Sequence, residues 1–187
     1  DDGLAAYGRY VKLSSSTPTA GIRQSTPPSG DNVLEIENLN LRYEQGAYVY
    51  QDFSLTLAAG QRHIVATPSG TGKTTLLSLV AEAYSSDNTF DPELVQGSIR
   101  YSGSMAVISQ HPRFDASTGA EQLAQDAPLA SAAMISELAN RLSLTALLER
   151  NISEYSPGEL RRLEVMRALL RIHTDTECRL LLADEPT

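Results

Sequence analysis

The chain of 187 residues is 41% hydrophobic and 20% charged, a globular balance with length enough for one domain, or one domain and a tail, around a sizeable core. Its formal charge of -8 argues against a surface held to nucleic acid or anionic lipid by basic patches, so no nucleic-acid partner is expected. No apolar run approaches the roughly 18–20 residues needed to span a bilayer, no basic-then-apolar leader opens the chain, and the single cysteine, Cys178, excludes an intrachain disulfide and suits a reducing cytosol.

Residues 1–12 place Leu4, Tyr7 and Val11 at helical spacing and read as the end of a preceding helix. Residues 13–32 are rich in Ser, Thr, Pro and Gly with few large apolar groups, which predicts an exposed linker. A chain that opens Asp-Asp without Met and stops just past an acidic pair reads as cut at both ends. From Val33 an alternation begins, with Leu34, Ile36, Leu39, Leu41 and Tyr43 along it, and a second strand-like run covers 48–57. Two strands this close predict an antiparallel flap.

The most specific feature follows. Residues 61–67 read as a short buried strand and 73–83 as a helix, and between them runs Thr67-Pro-Ser-Gly-Thr-Gly-Lys-Thr-Thr75. Gly70, Gly72, Lys73 and Thr74 match the end of G-x-x-x-x-G-K-[ST], a loop whose backbone N–H groups cradle the phosphates of a nucleoside triphosphate. The helix start adds unpaired N–H groups and the positive end of a dipole. Pro68, Ser69, Gly70, Thr71, Gly72, Lys73, Thr74 and Thr75 are therefore the candidate nucleotide contacts, with Lys73 on the β and γ phosphates and the Thr74 hydroxyl on Mg²⁺. The first glycine of the pattern is replaced by Thr67, which is harmless if that position keeps an extended φ.

Further on, 94–101 and 105–109 are strand-like, and 117–151 is rich in Ala and Leu with Ala132, Ile135, Leu138 and Leu142 spaced for short helices. Residues 160–171 form another amphipathic helix. Residues 179–183 are an apolar strand, predicted buried throughout as in a parallel sheet, ending on Asp184 and Glu185. Asp184 suits Mg²⁺ beside a triphosphate, and Glu185 suits the polarising of an attacking water.

Together these residues resemble the ATPase domain of the ATP-binding cassette (ABC) family over roughly 33–187. The implied fold is an α/β P-loop NTPase with a mostly parallel core sheet, an antiparallel β subdomain and a helical subdomain near 111–165, preceded at 1–32 by the helix end and linker. Tyr43 falls where the family stacks an aromatic on adenine, with Tyr48 and Tyr50 as substitutes. Gln110 matches the glutamine loop, which reaches Mg²⁺ and the attacking water. Tyr155-Ser-Pro-Gly-Glu-Leu-Arg-Arg162 resembles a diverged LSGGQ signature, and its Ser156, Pro157 and Glu159 also spell a helix-capping box. In the family that helix start, here Ser156 and Gly158, faces the γ-phosphate bound by a second ATPase domain. Pro157 has no N–H to offer there.

The resemblance implies ATP and Mg²⁺ as cofactors, Lys73, Gln110 and Glu185 as the catalytic set, and Thr74, Gln110 and Asp184 around the metal. It implies a head-to-tail dimer, with the diverged signature pointing to a heterodimer. The segment after the glutamine loop and the linker resemble exporters in which the ATPase follows a fused transmembrane domain, at the cytoplasmic face of a membrane, the inner one if bacterial. The isolated chain, ending after the acidic pair, is expected to turn over ATP barely at all. The alternatives are an ABC ATPase that moves no cargo, a small-molecule kinase using the same loop, and a nucleotide-binding regulator that does not hydrolyse.

Overall fold

The computed structural model describes residues 26–42, 46–66, 70–84 and 94–184. The helix expected over 1–12, most of the linker, Tyr43, the loop residues Thr67, Pro68 and Ser69, and Glu185 lie outside the described residues. The chain divides into two compact units, residues 1–102 and 103–187.

The first unit is built on a three-stranded antiparallel sheet of order β2-β1-β3, with β1 at Asn32–Arg42, β2 at Tyr48–Ala58 and β3 at Val95–Tyr101. This is the expected antiparallel flap, gaining β3 as a third strand. The apolar positions of β1 change phase along the strand, from Leu34 and Ile36 to Leu39 and Leu41, yet all four are buried. A strand with strict alternation would send the second pair to the opposite face. Asn38 resolves this by adopting φ 50, and the pairing to both neighbours slips at that point. The bulge inserts one residue and restores the phase. Opposite it, Gly97 holds φ 119, and a Cβ there would lie 2.8 Å from the carbonyl oxygens of Glu37 and Asn38, so only glycine fits.

Glu35 anchors the start of the same strand. Its carboxylate accepts from the Ser29 hydroxyl and N–H, from Asn32 Nδ2 at 2.7 Å and from Arg100 Nη2 at 2.7 Å. Ser29 and Asn32 therefore belong to the sheet's hydrogen-bonding scheme, and Pro28 is buried. The Ser29 hydroxyl first, then Asn32 and Arg100, lower the Glu35 pKa from 4.5 to about 2. A carboxylate depressed by folding adds stability above its unfolded pKa and loses it as the folded pKa is approached. The unfolding midpoint is thus expected to fall as pH drops from about 4.5 to about 2. Glu35→Gln should flatten that dependence in urea titrations at stepped pH, and an unchanged slope would remove Glu35 as its source.

Residues 61–66 depart from expectation. In place of a buried strand they form an exposed, irregular segment, with Ile64 91% and Val65 42% exposed. A run of apolar residues predicts burial only if a neighbouring strand supplies the ladder, and among the described residues none pairs with this one. The side chain of Gln61 instead folds back to accept from the Ala58 N–H at 3.1 Å. Helix α1, Lys73–Tyr84, follows as expected and buries Leu76, Leu79 and Val80.

The second unit pairs β4, Ser104–Ile108, with β5, Cys178–Ala183, in parallel. Parallel neighbours need a long crossover, and here it is helical: α2 at Gly119–Asp126, α3 at Ala132–Arg141, a 3₁₀ turn at Ile152–Glu154 and α4 at Pro157–Thr174. One core gathers Leu123, Ala139, Leu144, Ile152, Leu163, Met166 and Leu170. A smaller one sets Ala168 of α4 on Ala106 and Ile108 of β4. The predicted all-round burial of β5 is corrected: Leu180 and Leu182 are buried, but Leu181 is 45% exposed and Ala183 is exposed, so this unit covers one face of the strand. A two-residue period with one covering layer gives half-burial whatever the side chains are. The turn from α4 to β5 is pinned by Asp175, whose carboxylate accepts from the Ser104 hydroxyl and the Glu177 N–H.

Candidate functional site

In the first unit, Gly70 and Gly72 take φ 81 and φ 90 immediately before α1. These left-handed conformations, open to glycine because it has no Cβ, turn the chain into the helix. Lys73 and Thr74 are the first two helical residues, half-buried, with Thr75 next and no acidic residue in the first turn. The helix start therefore brings the N–H groups of its first turn, a hydroxyl and a lysine to one end, with no acidic residue in that turn to oppose an anion.

Sequence reasoning missed what supports the loop. A Cβ on Gly72 would lie 2.3 Å from Val49 Cγ1 and 3.2 Å from Tyr50 Cε2, so the backbone presses directly on β2. The Tyr50 hydroxyl donates to the Gly72 carbonyl at 3.1 Å, and its ring leans on Phe53 with centroids 5.0 Å apart. Tyr50, considered above for adenine, here props the loop. Nothing in residue spacing connects positions 22 apart across a strand and a turn.

In the second unit, the C-terminal ends of β4 and β5 bring two predicted residues to one edge. Ile108 pairs with Ala183, and the Asp184 N–H donates to the Ile108 carbonyl at 2.8 Å. Gln110 leaves β4 two residues later and is exposed, whereas Asp184 is 8% exposed. The carboxyl edge of a parallel sheet is the usual ligand side of an α/β fold. Within this unit the Asp184 carboxylate and the Gln110 amide oxygen are hard oxygen donors of the kind Mg²⁺ takes. Among the described residues no three His, Cys, Asp or Glu side chains gather into a metal cage.

At the start of α4 the predicted capping box is complete. The Ser156 hydroxyl accepts from the Glu159 N–H at 3.3 Å, and Glu159 accepts from the Ser156 N–H at 2.7 Å. The Ser156 hydroxyl, then its main chain, hold the Glu159 carboxyl below its ordinary pKa. Ser156, Pro157 and Gly158 are all exposed. Tyr155, in contrast, is buried with its hydroxyl on the Leu147 carbonyl.

Residues 50–187 match the family described as ABC transporter. The chain is 30% identical to an uncharacterized ABC transporter ATP-binding protein, Rv2326c, of Mycobacterium tuberculosis, over 99% of this chain and 27% of that protein. It is 30% identical to the trehalose import ATP-binding protein SugC of the same species, over 82% of this chain and 40% of SugC. Against the glutathione/L-cysteine transport system ATP-binding/permease protein CydC of Escherichia coli the identity is 27%, over 98% of this chain and 34% of CydC. The chain thus spans well under half the length of these curated relatives. Among solved structures, an inward-facing metal-chelate type ABC transporter aligns at 22% identity and TM-score 0.59, covering 84% of this chain and 61% of that one, which shows a shared fold. Since the family match takes in most of its length, the chain belongs to the ABC transporter family, as an ATP-binding domain.

Proposed function

We propose that this chain is the motor domain of an ABC exporter subunit, coupling ATP hydrolysis to transport across a membrane. The observation that carries the reading is the pair of left-handed glycines delivering Lys73 and Thr74 to the start of α1, together with the family match. ATP-binding domains of this family are ATPases. In this reading Tyr43 stacks on adenine, and residues 68–75 with Lys73 hold the phosphates. Glu185 orients the water for in-line attack, and Thr74, Gln110 and Asp184 hold Mg²⁺. The bound cation would neutralise charge developing on the transferred phosphoryl group, while the protein positions the reactants.

Ser156 and Gly158 would complete the site of a second ATPase domain in a head-to-tail dimer. Pro157 lacks the N–H that another residue would supply at that helix start, which favours a heterodimer with one weaker site. A transmembrane domain fused upstream is favoured by the match to an ATP-binding/permease protein over 98% of this chain. The domain would then work at the cytoplasmic face of that membrane. An import subunit is the second reading, supported by likeness to a trehalose import protein at 30% identity. Uptake or extrusion of labelled cargo in inside-out vesicles separates the two.

The test is phosphate release by the full-length protein with its partner. Lys73→Ala should lower turnover by about 10²–10³-fold, the usual effect of losing one preorganised donor to the transition state. Equal rates for Lys73→Ala and the parent would reject the ATPase reading.

A further inference from the structure

Glu164 is 0% exposed in the middle of α4, on a helix whose other buried positions, Leu163, Met166, Ala168 and Leu170, are apolar. A carboxylate so placed is costly unless it is fully engaged, and here it is. Its Oε1 accepts from the Ser109 N–H and the Ser109 hydroxyl, each at 2.8 Å, with Arg167 Nη2 3.7 Å away. Its Oε2 takes Arg161 Nη1 at 2.8 Å. Arg161 donates onward to the Ser109 carbonyl and, through Nη2 at 2.6 Å, to the Asp184 carbonyl.

Every anchor of this pair is next to a proposed site residue or is one. Ser109 precedes Gln110, and Asp184 precedes Glu185. We propose that Glu164, acting with Arg161, is a positioning residue for ATP hydrolysis, fixing on one helix the two strand ends from which Gln110 and Glu185 depart. The same helix begins two turns earlier at the Ser156 cap, so the signature-like helix start and both strand ends share one rigid element. Stability alone would not require the charge, since a well-packed apolar residue in place of a buried ion pair is often neutral or better. What a charged, hydrogen-bonded pair adds is direction: it holds two main-chain segments at one register. The role in turnover rests on the functional reading above; the geometry does not.

The test uses the full-length protein with its partner and compares Glu164→Gln, which keeps an acceptor but loses the charge, with Glu164→Met, which keeps volume but loses both acceptors. Turnover number and KM for ATP, the thermal midpoint and amide exchange at Ser109 are measured. The Gln variant should lose about tenfold in turnover, the equivalent of one charge-assisted hydrogen bond, with KM within about twofold and a midpoint that falls but stays well above the assay temperature. The Met variant should lose about 10²-fold, as for a displacement near 1 Å, and its Ser109 amide should exchange faster while the capped start of α4 stays protected. Parental turnover in both variants, or a fall in turnover matched by a comparable rise in KM, would overturn the positioning role. Absence of Lys73-dependent hydrolysis in the parent would instead sink the functional reading and the role in turnover with it. Equal Ser109 exchange in all three proteins would overturn the geometry even with hydrolysis intact.

Discussion

Gly72→Ala is expected to abolish ATP binding and to destabilise the first unit by about 2–6 kcal/mol. Two penalties add. A residue with a Cβ held at φ 90 costs about 1–3 kcal/mol, and the new methyl would sit 2.3 Å from Val49 Cγ1, an overlap worth another 1–3 kcal/mol or so of displaced packing. Relief means lifting the loop off β2, which breaks the Tyr50 hydrogen bond to the Gly72 carbonyl and turns the first N–H groups of α1 away from their ligand. Gly70→Ala is the internal control. Its φ of 81 carries the same backbone strain, but a Cβ there meets nothing within 4 Å, so only the strain of about 1–3 kcal/mol remains. Thermal melts and titration with a fluorescent ATP analogue should rank the parent above Gly70→Ala and both above Gly72→Ala. Equal melting of the two alanine variants would show that β2 does not support the loop.

Leu163→Ala should cost about 3–5 kcal/mol in the second unit, the range for deleting a large side chain from a core that cannot collapse. Leu163 is fully buried among Leu123, Leu144, Ile152, Met166 and Leu170, drawn from two helices, the loop after α3 and a 3₁₀ turn. The loss reaches function because α4 carries the Ser156 cap at its start and Arg161 and Glu164 further along. Leu129, 78% exposed after α2, is the comparison; its replacement by Ala should stay within about 0.5 kcal/mol. Urea unfolding of the two variants decides the matter, and similar midpoints would mean that the helical core is not packed around Leu163.

Different physical causes made parts of this protein legible in the sequence. Local chemistry was readable wherever one residue's own conformational limits act. Gly70 and Gly72 announced the turn into α1, and Ser156, Pro157 and Glu159 announced a capped helix, because a missing Cβ, a missing N–H and a three-residue reach are settled within a few positions. The antiparallel β1 and β2 were readable from alternation, but the phase change after Ile36 and its cause, a bulge at Asn38, were not. The segment 61–66 and the outer face of β5 were misjudged for one shared reason. Apolar content states a preference for burial, and only a neighbouring strand or helix can satisfy it.

By itself, then, the order of residues determined the ligand class, the starts of α1 and α4 and the family, since each rests on contacts spanning a handful of positions. Tertiary structure alone decided that Tyr50 props Gly72, and that Glu164 and Arg161 tie Ser109 to Asp184. Those partners stand between 3 and 55 positions apart, and the longer separations follow no period of helix or strand. Only the folded path of the backbone brings such groups within hydrogen-bonding distance.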